Sequence, residues 1–499
     1  MTDVLIVGAG PSGLMLACLL HDHDINFIIL DKATDVKRSS GALVIHASSI
    51  ELFHQLGIID SVLSMATRVN TISFSLKHNP EKKHSVNISS LSGKYNYPSI
   101  ILLEQYKLEG ILREYLWNRG KRIQNTLFLK YQTEGKTVNA IVTDSDGNKT
   151  IKCKFLIGAD GKESLIRSLA NIPYTKESDE RPIFIFDVIG KSPAAINEMF
   201  FSFSKKKSFG CFPLKSGVIR IDGYIPEINH VDEITPELIF PYLPSEIEID
   251  SIKWFSVFHG NHLLCKTFSA NNIFVIGDAA HTHNPVGGQG MNSGFQDALN
   301  LAWKLAFVIK GTANNKLLDT YSEERKPVVE KIMNSSRRIF RLVTAKKKSI
   351  NFINQIFFHS AVSLISILLK NRHFRQQIFL NVSQLWIKYK SSLVLKGSIN
   401  RRLRPGMLFR VSLIEHAIIK STNFRLLVFK KIETLQNYHE LKSFPIEITE
   451  VTKIDNPRLF HEYHIRENTI LLLRPDNFIV FVTSELDIGK LQCYFRRLM

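Results

Sequence analysis

Cysteine is scarce in this sequence, and the few cysteines form no recognisable pattern. The 499 residues contain 5 cysteines, an odd number. They lie far apart and include no Cys-x-x-Cys pair. A disulfide framework needs an even set, and a thiolate metal site needs closely spaced ligands. The sequence therefore predicts neither, and we expect no bound metal ion.

Targeting and membrane signals are also weak. The N-terminus has no signal peptide, because Asp3 precedes the apolar run Val4–Val7 and a glycine turn follows at once. We therefore expect a cytoplasmic protein. Residues 350–369 approach the length that spans a bilayer, but they contain polar residues such as Asn351 and His359. A buried helical hairpin is the preferred interpretation, with peripheral membrane contact as the alternative.

Clustered charge is absent, although the chain is basic overall. It has 64 Lys and Arg against 46 Asp and Glu, which gives a formal net charge of +18. The basic residues are spread along the chain, with short runs only at 205–207 and 346–348. No DNA- or RNA-binding motif accompanies them, so we expect no nucleic acid partner. A general attraction for anionic cofactors and substrates remains.

The first motif lies at the N-terminus. Thr2–Val7 predicts a buried parallel strand, and the glycine pattern G-x-G-x-x-G follows it before an apolar helix. A second strand ends at Asp31, the acid that such a motif needs about twenty residues later. The acid favours a ribose with a free 2′-hydroxyl, hence FAD or NAD rather than NADP. The residues expected to line this nucleotide site are Gly8, Gly10, Pro11, Ser12, Gly13, Asp31 and Lys32.

Two further stretches repeat the arrangement of a strand that ends in glycine and acid. Near 155–167, a short apolar strand leads to Asp160-Gly, and Arg167 follows in the next helix. Past the middle of the chain, Ile273–Ile276 leads to Gly277-Asp278, a glycine-rich loop and a long amphipathic helix. The unpaired N–H groups at the start of that helix favour negative charge. The residues expected to contribute there are Asp278, Gly288, Gly290, Met291 and Asn292.

Together these motifs resemble the three fingerprints of single-component, FAD-dependent aromatic hydroxylases. The third motif is most similar to the phenol hydroxylase and polyketide hydroxylase branch of that group. Gln105 stands where the family has a glutamine near the flavin, and Phe209–Pro213 resembles the strand on the substrate side of the flavin. The stretch 471–478 resembles part of the thioredoxin-like C-terminal domain found in that branch, although this chain has no Cys-x-x-Cys there.

The resemblance implies an α/β fold: a Rossmann-like FAD-binding domain, an inserted and mainly antiparallel β-sheet substrate domain, and a thioredoxin-like C-terminal domain. The expected boundaries are 1–70, 98–181 and 270–330 for the FAD-binding domain, 71–97 and 182–269 for the substrate domain, 331–400 for a helical connector, and 401–499 for the C-terminal domain. We expect a monomer or a homodimer.

The resemblance also implies the chemistry. FAD is bound, and NAD(P)H visits transiently, because the sequence has only one dinucleotide fingerprint. Oxygen then adds to the reduced flavin, and the hydroperoxide hydroxylates a small phenolic or polyketide-like aromatic substrate. Asp160 and Arg167 brace the loop that serves FAD and NAD(P)H, while Pro213 and Pro285 border the pocket. No residue can be named as the catalytic base.

One departure from the family pattern concerns Gly41 and Ser48, since the family usually has an arginine at the first position and often another near the second. Both normally help to hold FAD, and Arg38 could substitute only in a rearranged loop. The alternative functions are another FAD-dependent oxidoreductase, such as a reductase or a Baeyer–Villiger-type oxygenase, and a membrane-associated, flavin-poor binding protein. For His281 and His283, packing within the loop is favoured over metal binding or acid–base catalysis.

Overall fold

The structure is a computed structural model. It describes residues 1–33, 41–76, 83–88, 100–203, 208–224, 234–243, 246–284, 287–344, 371, 383–391, 393–395, 402–410, 422–429 and 438–499. Pro285, Arg38 and the apolar segment 350–369 lie outside the described residues. In the described ranges, no helix combines the length and apolar character required to cross a membrane.

The strands and helices of the described residues follow in chain order. The strands are β1 (Thr2–Val7), β2 (Phe27–Asp31), β3 (Val44–His46), β4 (Thr67–Arg68), β5 (Thr71–Leu76), β6 (Lys83–Asn87), β7 (Ile100–Leu102), β8 (Ile123–Asn125), β9 (Leu127–Glu134), β10 (Thr137–Asp144), β11 (Gly147–Gly158), β12 (Tyr174–Lys191), β13 (Glu198–Phe203), β14 (Ser208–Pro213), β15 (Ile219–Tyr224), β16 (Glu248–Cys265), β17 (Ser269–Ala270), β18 (Ile273–Val275), β19 (His281–Thr282), β20 (Phe424–Val428), β21 (Ile446–Glu450), β22 (Ile470–Leu473) and β23 (Ile479–Thr483). The helices are α1 (Pro11–Asp22), α2 (Ala47–Gln55), α3 (Ile59–Met65), α4 (Gln105–Trp117), α5 (Leu165–Leu169), α6 (Pro236–Ile239), α7 (Gly290–Ile309), α8 (Lys316–Thr344), α9 (Pro457–Tyr463) and α10 (Ile488–Leu498).

The first sheet contains the strands of all three motifs. Its order is β17-β18-β11-β1-β2-β8, and the central strands β18, β11, β1, β2 and β8 run parallel. The outer strands β10 and β9 join β11 through antiparallel pairs. Strands β1 and β18 are almost wholly apolar and buried, as expected when helices cover both faces of a parallel sheet. Helices α1 and α7 pack closely against each other beside this sheet.

The second sheet has eight strands in the order β19-β16-β12-β15-β14-β13-β5-β6. All neighbouring pairs are antiparallel except β13 and β5. Its alternate residues separate into two faces. One face buries the apolar cluster that includes Phe186, Ile219 and Ile221. The other carries Phe212 and Met199, which pack with Leu43 and Val44 from the segment that follows the first motif.

The C-terminal part forms a separate four-stranded sheet with the order β21-β20-β22-β23. Strands β20 and β21 are parallel, while β22 pairs antiparallel with both β20 and β23. A cluster that includes Phe424, Leu472 and Phe495 covers one face and also contains Trp303 from α7. The C-terminal sheet is therefore packed directly against the helix that begins at the third motif. The thioredoxin-like assignment and the domain boundaries stay predictions.

Candidate active site

The three motifs begin on adjacent strands at the same level of the first sheet. Val7 pairs with Gly158, and Gly158 pairs with Val275 on the next strand. On the other side, Val7 pairs with Leu30, the residue before Asp31. The loops that follow β1, β2, β11 and β18 therefore all begin at the carboxyl edge of the sheet. Open α/β sheets bind their ligands at this edge. Motifs that are more than a hundred residues apart in sequence are brought together here.

The first glycine loop is shaped by very close backbone contacts. Gly8 has a φ of +106°, and a Cβ atom there would lie 2.2 Å from the carbonyl oxygen of Ala159. A Cβ atom at Gly13 would lie 2.0 Å from the carbonyl oxygen of Gly8. Gly10 differs, because a Cβ atom there would meet nothing within 4 Å. Two glycines therefore allow the turn and the helix to pack, while the third faces open space.

Asp31 holds this loop to the end of β2. One carboxylate oxygen accepts a hydrogen bond from the backbone N–H of Ala9 at 2.6 Å, and the other accepts from the N–H of Ala33 at 2.8 Å. Lys32 is exposed between them. Helix α1 begins at Pro11, directly after the loop, and no side chain caps its start. The first motif therefore presents unpaired helix N–H groups beside a fixed carboxylate.

The second motif serves mainly to join loops. Asp160 accepts hydrogen bonds from the Ser164 hydroxyl at 2.5 Å and from the Ile166 N–H at 3.1 Å. Arg167 is buried and donates to the carbonyl oxygens of Lys162 at 2.9 Å and Ala279 at 3.0 Å. Since Ala279 follows Asp278, the Arg167 guanidinium ties the second loop directly to the third.

The carboxylate of Asp278 differs from those of Asp31 and Asp160, which accept hydrogen bonds from the protein. The residue keeps contact with solvent, and within the described part of the chain its carboxylate has no hydrogen-bond partner. The loss of hydration raises the pKa of Asp278, and the nearby His281 and Lys162 oppose that rise. A solvent-accessible carboxylate without protein donors is free to accept hydrogen bonds from a ligand.

The start of α7 lies beside α1. Its first residue is Gly290, and no side chain caps the helix, so the N–H groups of the first turn are left for other partners. Ser12 of α1 sits between two glycines of the third motif. A Cβ atom at Gly277 would lie 2.4 Å from the Ser12 hydroxyl oxygen, and one at Gly294 would lie 2.1 Å from it. These glycines allow the two uncapped helix starts to approach each other.

Asn292 uses its side chain to hold the glycine-rich loop in place. Its amide oxygen accepts from the His46 N–H at 2.9 Å, and its amide nitrogen donates to the carbonyl oxygens of Val44 and Gly288 at 2.9 and 2.8 Å. Gly288 itself packs on Val44, because a Cβ atom there would lie 2.6 Å from the Val44 Cβ. Met291 is buried in the core. The side chains of Met291 and Asn292 thus face protein, and their backbone N–H groups remain at the helix start.

Two histidines of the third motif have different surroundings. His281 Nε2 lies 2.7 Å from a carboxylate oxygen of Asp297, inside a fully buried network that also contains Arg325. His283 Nδ1 lies 2.8 Å from the carbonyl oxygen of Asn284, so this nitrogen carries the proton and donates. Burial lowers the pKa of His283 to about 4, so its ring is neutral at pH 7. The loop itself therefore holds the ring of His283, whereas Asp297 of α7 holds the ring of His281.

Gln105 occupies the space that a side chain at Gly41 would need. Its amide oxygen accepts from the Ala42 N–H at 2.9 Å, and its amide nitrogen donates to Glu109 at 2.8 Å. A Cβ atom at Gly41 would lie 2.1 Å from that amide oxygen. Ser48 is buried in α2, and its hydroxyl has no hydrogen-bond partner among the described residues. The absence of a side chain at Gly41 therefore allows Gln105 to pack over this position.

Comparison with known proteins identifies the family. A family model described as an FAD binding domain matches residues 1–336. Rifampicin monooxygenase of Rhodococcus hoagii is 31% identical over 362 residues, which cover 69% of this chain and 72% of that protein. Pentachlorophenol 4-monooxygenase of Sphingobium chlorophenolicum is 30% identical over 360 residues, which cover 70% of this chain and 66% of that protein. The chain belongs to this FAD-binding family.

The likeness to solved structures extends over the whole chain. Aklavinone-11 hydroxylase, solved with FAD and aklavinone, superposes with a TM-score of 0.78 at 19% identity and covers 100% of this chain and 98% of its own. At that identity the match concerns the fold alone. The predicted fold class and the resemblance to FAD-dependent aromatic hydroxylases are confirmed, and this chain is an FAD-dependent monooxygenase. The relatives favour this function over the reductase and flavin-poor alternatives.

In this monooxygenase the second sheet is fastened to the FAD-binding part by a residue that the sequence analysis missed. Arg220 of β15 is buried and forms a two-pronged ion pair with Asp187 of β12, with contacts of 2.7 and 2.9 Å. Its remaining nitrogen donates to the carbonyl oxygen of Gly41 at 2.7 Å. Pro213 is the last residue of β14 and is buried. Its neighbour Phe212 pairs with Arg220, so Pro213 lies beside this contact. Pro213 therefore lies near the point where the second sheet contacts Gly41.

The buried network around Asp297 was also missed. Asp297 lies on α7 and accepts hydrogen bonds from the Gly277 N–H, from His281 and from Arg325 of α8. Burial disfavours its charge, yet His281 and Arg325 outweigh burial and hold the pKa of Asp297 at about 2. An aspartate among the apolar residues of a buried helix is the sequence signal that could have revealed it. Its partners could not be identified from spacing alone.

Proposed function

We propose that this monooxygenase hydroxylates a phenolic or polyketide-like aromatic substrate, using NAD(P)H and O2. The observation that carries the proposal is the junction at Gly41. There the face of the second sheet that bears Arg220 and Phe212 is fastened to the loops of the FAD-binding part. A compound resting on this face would lie beside the carboxyl edge of the first sheet. The names of the relatives, which include monooxygenases of rifampicin and pentachlorophenol, favour the same class of substrate.

The residues at the carboxyl edge fit FAD. The pyrophosphate would rest on the open side of Gly10, at the uncapped starts of α1 and α7, since free N–H groups and the helix dipole favour an anion there. Asp31 would accept a hydrogen bond from the adenosine ribose, because its oxygens have further lone pairs. Asp278, which has no partner among the described residues, would accept from the ribityl hydroxyls.

Other predicted residues would act through the loops. Arg167 and Asp160 would hold the second and third loops in register, and Gln105 would support Ala42. Gly288 would let the loop before α7 pack on Val44, so that the N–H groups of Gly290, Met291 and Asn292 face the flavin ring. Preorganised donors of this kind stabilise the negative charge of a reduced flavin by a few kcal/mol at most.

The bound FAD supplies the redox and oxygen chemistry, and the protein supplies position and electrostatics. Only one dinucleotide fingerprint is present in the sequence, so NAD(P)H would visit the FAD site from solution and leave. The chain's own residues would keep the substrate ring against the sheet and limit the access of water. Exclusion of water protects reactive species from side reactions.

Purification and a substrate screen test the proposal. We expect the protein to carry FAD absorbance at about one per chain, and its NAD(P)H oxidation to accelerate when a phenolic or polycyclic aromatic compound is added. Mass spectrometry should then find a product heavier by one oxygen atom, labelled when 18O2 is used. Acceleration without an oxygenated product would instead support a reductase. A colourless protein that takes up no added FAD would refute the cofactor assignment. Gel filtration of the same sample distinguishes a monomer from a homodimer.

A further inference from the structure

Asp222 is a part-buried carboxylate on the face of the second sheet that carries Arg220. It lies on β15, two residues beyond Arg220, so the two side chains point to the same face of the sheet. Arg220 on that face reaches the carbonyl oxygen of Gly41. The intervening Ile221 points the other way, into the apolar cluster around Phe186. Asp222 therefore lies on the face of the second sheet that is turned toward Gly41 and the FAD-binding part.

Two aromatic residues lie in the same row across the sheet as Asp222. Asp222 pairs with Gly210 of β14, Gly210 pairs with Phe201 of β13, and Phe201 pairs with Phe74 of β5. Directly paired residues share a face, so Asp222, Phe201 and Phe74 lie on one face of the sheet, with Gly210 between Asp222 and Phe201. Asp222, Phe201 and Phe74 are all part-exposed, whereas most of the apolar residues around them are buried. An acceptor on the same face as partly open rings is the arrangement expected where a ring with a polar substituent binds.

The carboxylate itself is close to the sheet and to an aromatic edge. A Cβ atom at Gly210 would lie 2.8 Å from an oxygen of Asp222 and 2.7 Å from the ring of Phe212. The oxygen thus lies over a position without a side chain, next to the Phe212 ring. A residue larger than glycine at 210 would push this oxygen away from the sheet.

Asp222 has no side-chain donor of its own in the described part of the chain. Arg220 is the nearest candidate donor on this face, but two of its nitrogens donate to Asp187 and the third donates to the carbonyl oxygen of Gly41. Its charge still acts on Asp222 at a distance. Backbone N–H groups of Gly210 and of Asp222 itself donate to the carboxylate, which keeps further lone pairs for a donor from a ligand.

We propose that Asp222 accepts a hydrogen bond from the ring hydroxyl of the substrate and makes the site selective for phenols over their ethers. The inference rests on the proposed function, because it assumes that an aromatic compound occupies this face. In the bound state the phenol O–H points at the Asp222 carboxylate. As the proton moves toward the carboxylate, the O–H electron pair stays on the phenol oxygen and enriches the ring in electrons.

The protonation state of Asp222 agrees with this role. Burial raises the pKa of Asp222 to about 6, against the charge of Arg220 and the backbone N–H groups of Gly210 and Asp222 itself. The carboxylate is therefore mainly ionised at pH 7.5 and can act as an acceptor. A group whose pKa lies near the working pH is also suited to sharing a proton.

The test compares matched ligands on the FAD-loaded enzyme. Equilibrium dialysis measures the dissociation constants of 2-naphthol and 2-methoxynaphthalene, and of 4-phenylphenol and 4-methoxybiphenyl, at pH 7.5, where both phenols keep their proton. A hydrogen bond to a charged acceptor corresponds to a preference of about tenfold or more for each phenol. Asp222→Asn should reduce this preference to about threefold or less, with the ether bound as in the wild type. Asp222→Glu keeps the charge and should retain part of the preference.

Asp250→Asn is the matched control, since it removes the same charge from an exposed position on β16. Asp222 pairs with Ile185 of β12, and Ile185 pairs with Ser256 of β16. Asp250 lies six residues before Ser256 on the same strand. This variant should keep the full preference for phenols. Unchanged FAD content in each variant verifies folding, and if Asp222→Asn does not fold, Asp222→Glu decides the matter by the size of its preference.

The outcomes distinguish the role of Asp222 from the proposed class of substrate. If the wild type binds a phenol and its ether equally, or if both Asp222 variants keep the full preference, Asp222 is not the acceptor, although an aromatic site exists. If none of the four compounds binds and none accelerates NAD(P)H oxidation, this inference falls together with the proposed substrate class. A preference that Asp222→Asn removes and Asp250→Asn retains supports it.

Discussion

The close approach of α1 and α7 makes a sharp prediction about Gly294. A Cβ atom at this position would lie 2.1 Å from the Ser12 hydroxyl oxygen and 3.3 Å from the Ser12 Cβ. Gly294 lies inside α7, where replacement of glycine by alanine normally stabilises a helix by about 1 kcal/mol. Overpacking a tight contact costs about 1–3 kcal/mol. We therefore expect Gly294→Ala to give no gain, or a net loss of up to about 2 kcal/mol.

Two further variants isolate the cause. Gly110 lies inside α4, and a Cβ atom there would meet nothing within 4 Å. Gly110→Ala should therefore show the ordinary stabilising effect of about 1 kcal/mol. In a Ser12→Gly background the obstacle is gone, and Gly294→Ala should become stabilising as well. Ser12→Ala, which keeps the Cβ atom, should relieve the clash only in part. The coupling between positions 12 and 294 should amount to about 1–3 kcal/mol.

The measurement is the melting temperature of the FAD-free protein, where each kcal/mol corresponds to a shift of roughly 2–4 °C or somewhat less in a chain of this size. The FAD dissociation constant gives a second readout, because both helix starts lie at the proposed pyrophosphate site. If Gly294→Ala and Gly110→Ala raise the melting temperature alike, and the effect of Gly294→Ala is the same with and without Ser12, the tight crossing of the helices does not exist in solution.

Three other changes test separate contacts. Asp278→Ala should abolish FAD retention on gel filtration, because it removes the carboxylate assigned to the ribityl hydroxyls, and normal flavin content would refute that role. Gly41→Arg should lower FAD content, since the new side chain displaces Gln105 from Ala42, and Gln105→Ala in the same chain should restore part of it. The folded pKa of Asp297 lies at about 2, below its usual 3.8, so its ionisation contributes about 2 kcal/mol above pH 4 that is lost as pH falls toward 2. The difference in melting temperature between wild type and Asp297→Asn should therefore shrink between pH 5 and pH 3, and a constant difference would contradict the assignment.

The nucleotide loops are the part of the molecule that the sequence predicts well. Each is contiguous, and each follows an apolar strand, so spacing alone places Gly8, Asp160 and Asp278 at strand ends. Parallel pairing then requires these ends to meet, as the register of Val7, Gly158 and Val275 shows. Local patterns succeed here because the physical constraints, namely a tight turn and a helix start, are themselves local.

Contacts between distant segments are not predictable in this way. Arg220 and Gly41 are 179 residues apart, and nothing in either segment indicates the other. Gly41 stands where the family usually has an arginine, and in the structure Gln105 packs in the space above it. The role of a missing side chain depends on what fills its volume, and that information lies in the tertiary packing. The same holds for Asp222, whose significance comes from its neighbours across the sheet.

The contacts of α7 indicate why the C-terminal part accompanies an FAD-binding domain without supplying a redox motif. Lys304 of α7 lies 2.9 Å from Glu324 of α8, and Glu324 in turn lies 2.5 Å from Arg474, which follows β22. Arg474 is also paired with Asp476, which accepts from the indole of Trp303 at 3.1 Å. All these groups are fully buried, so loss of one partner would leave an uncompensated charge at a cost of about 3–5 kcal/mol. Because the same helix begins at the proposed flavin site, the C-terminal sheet supports the far end of the helix whose first N–H groups would face the cofactor.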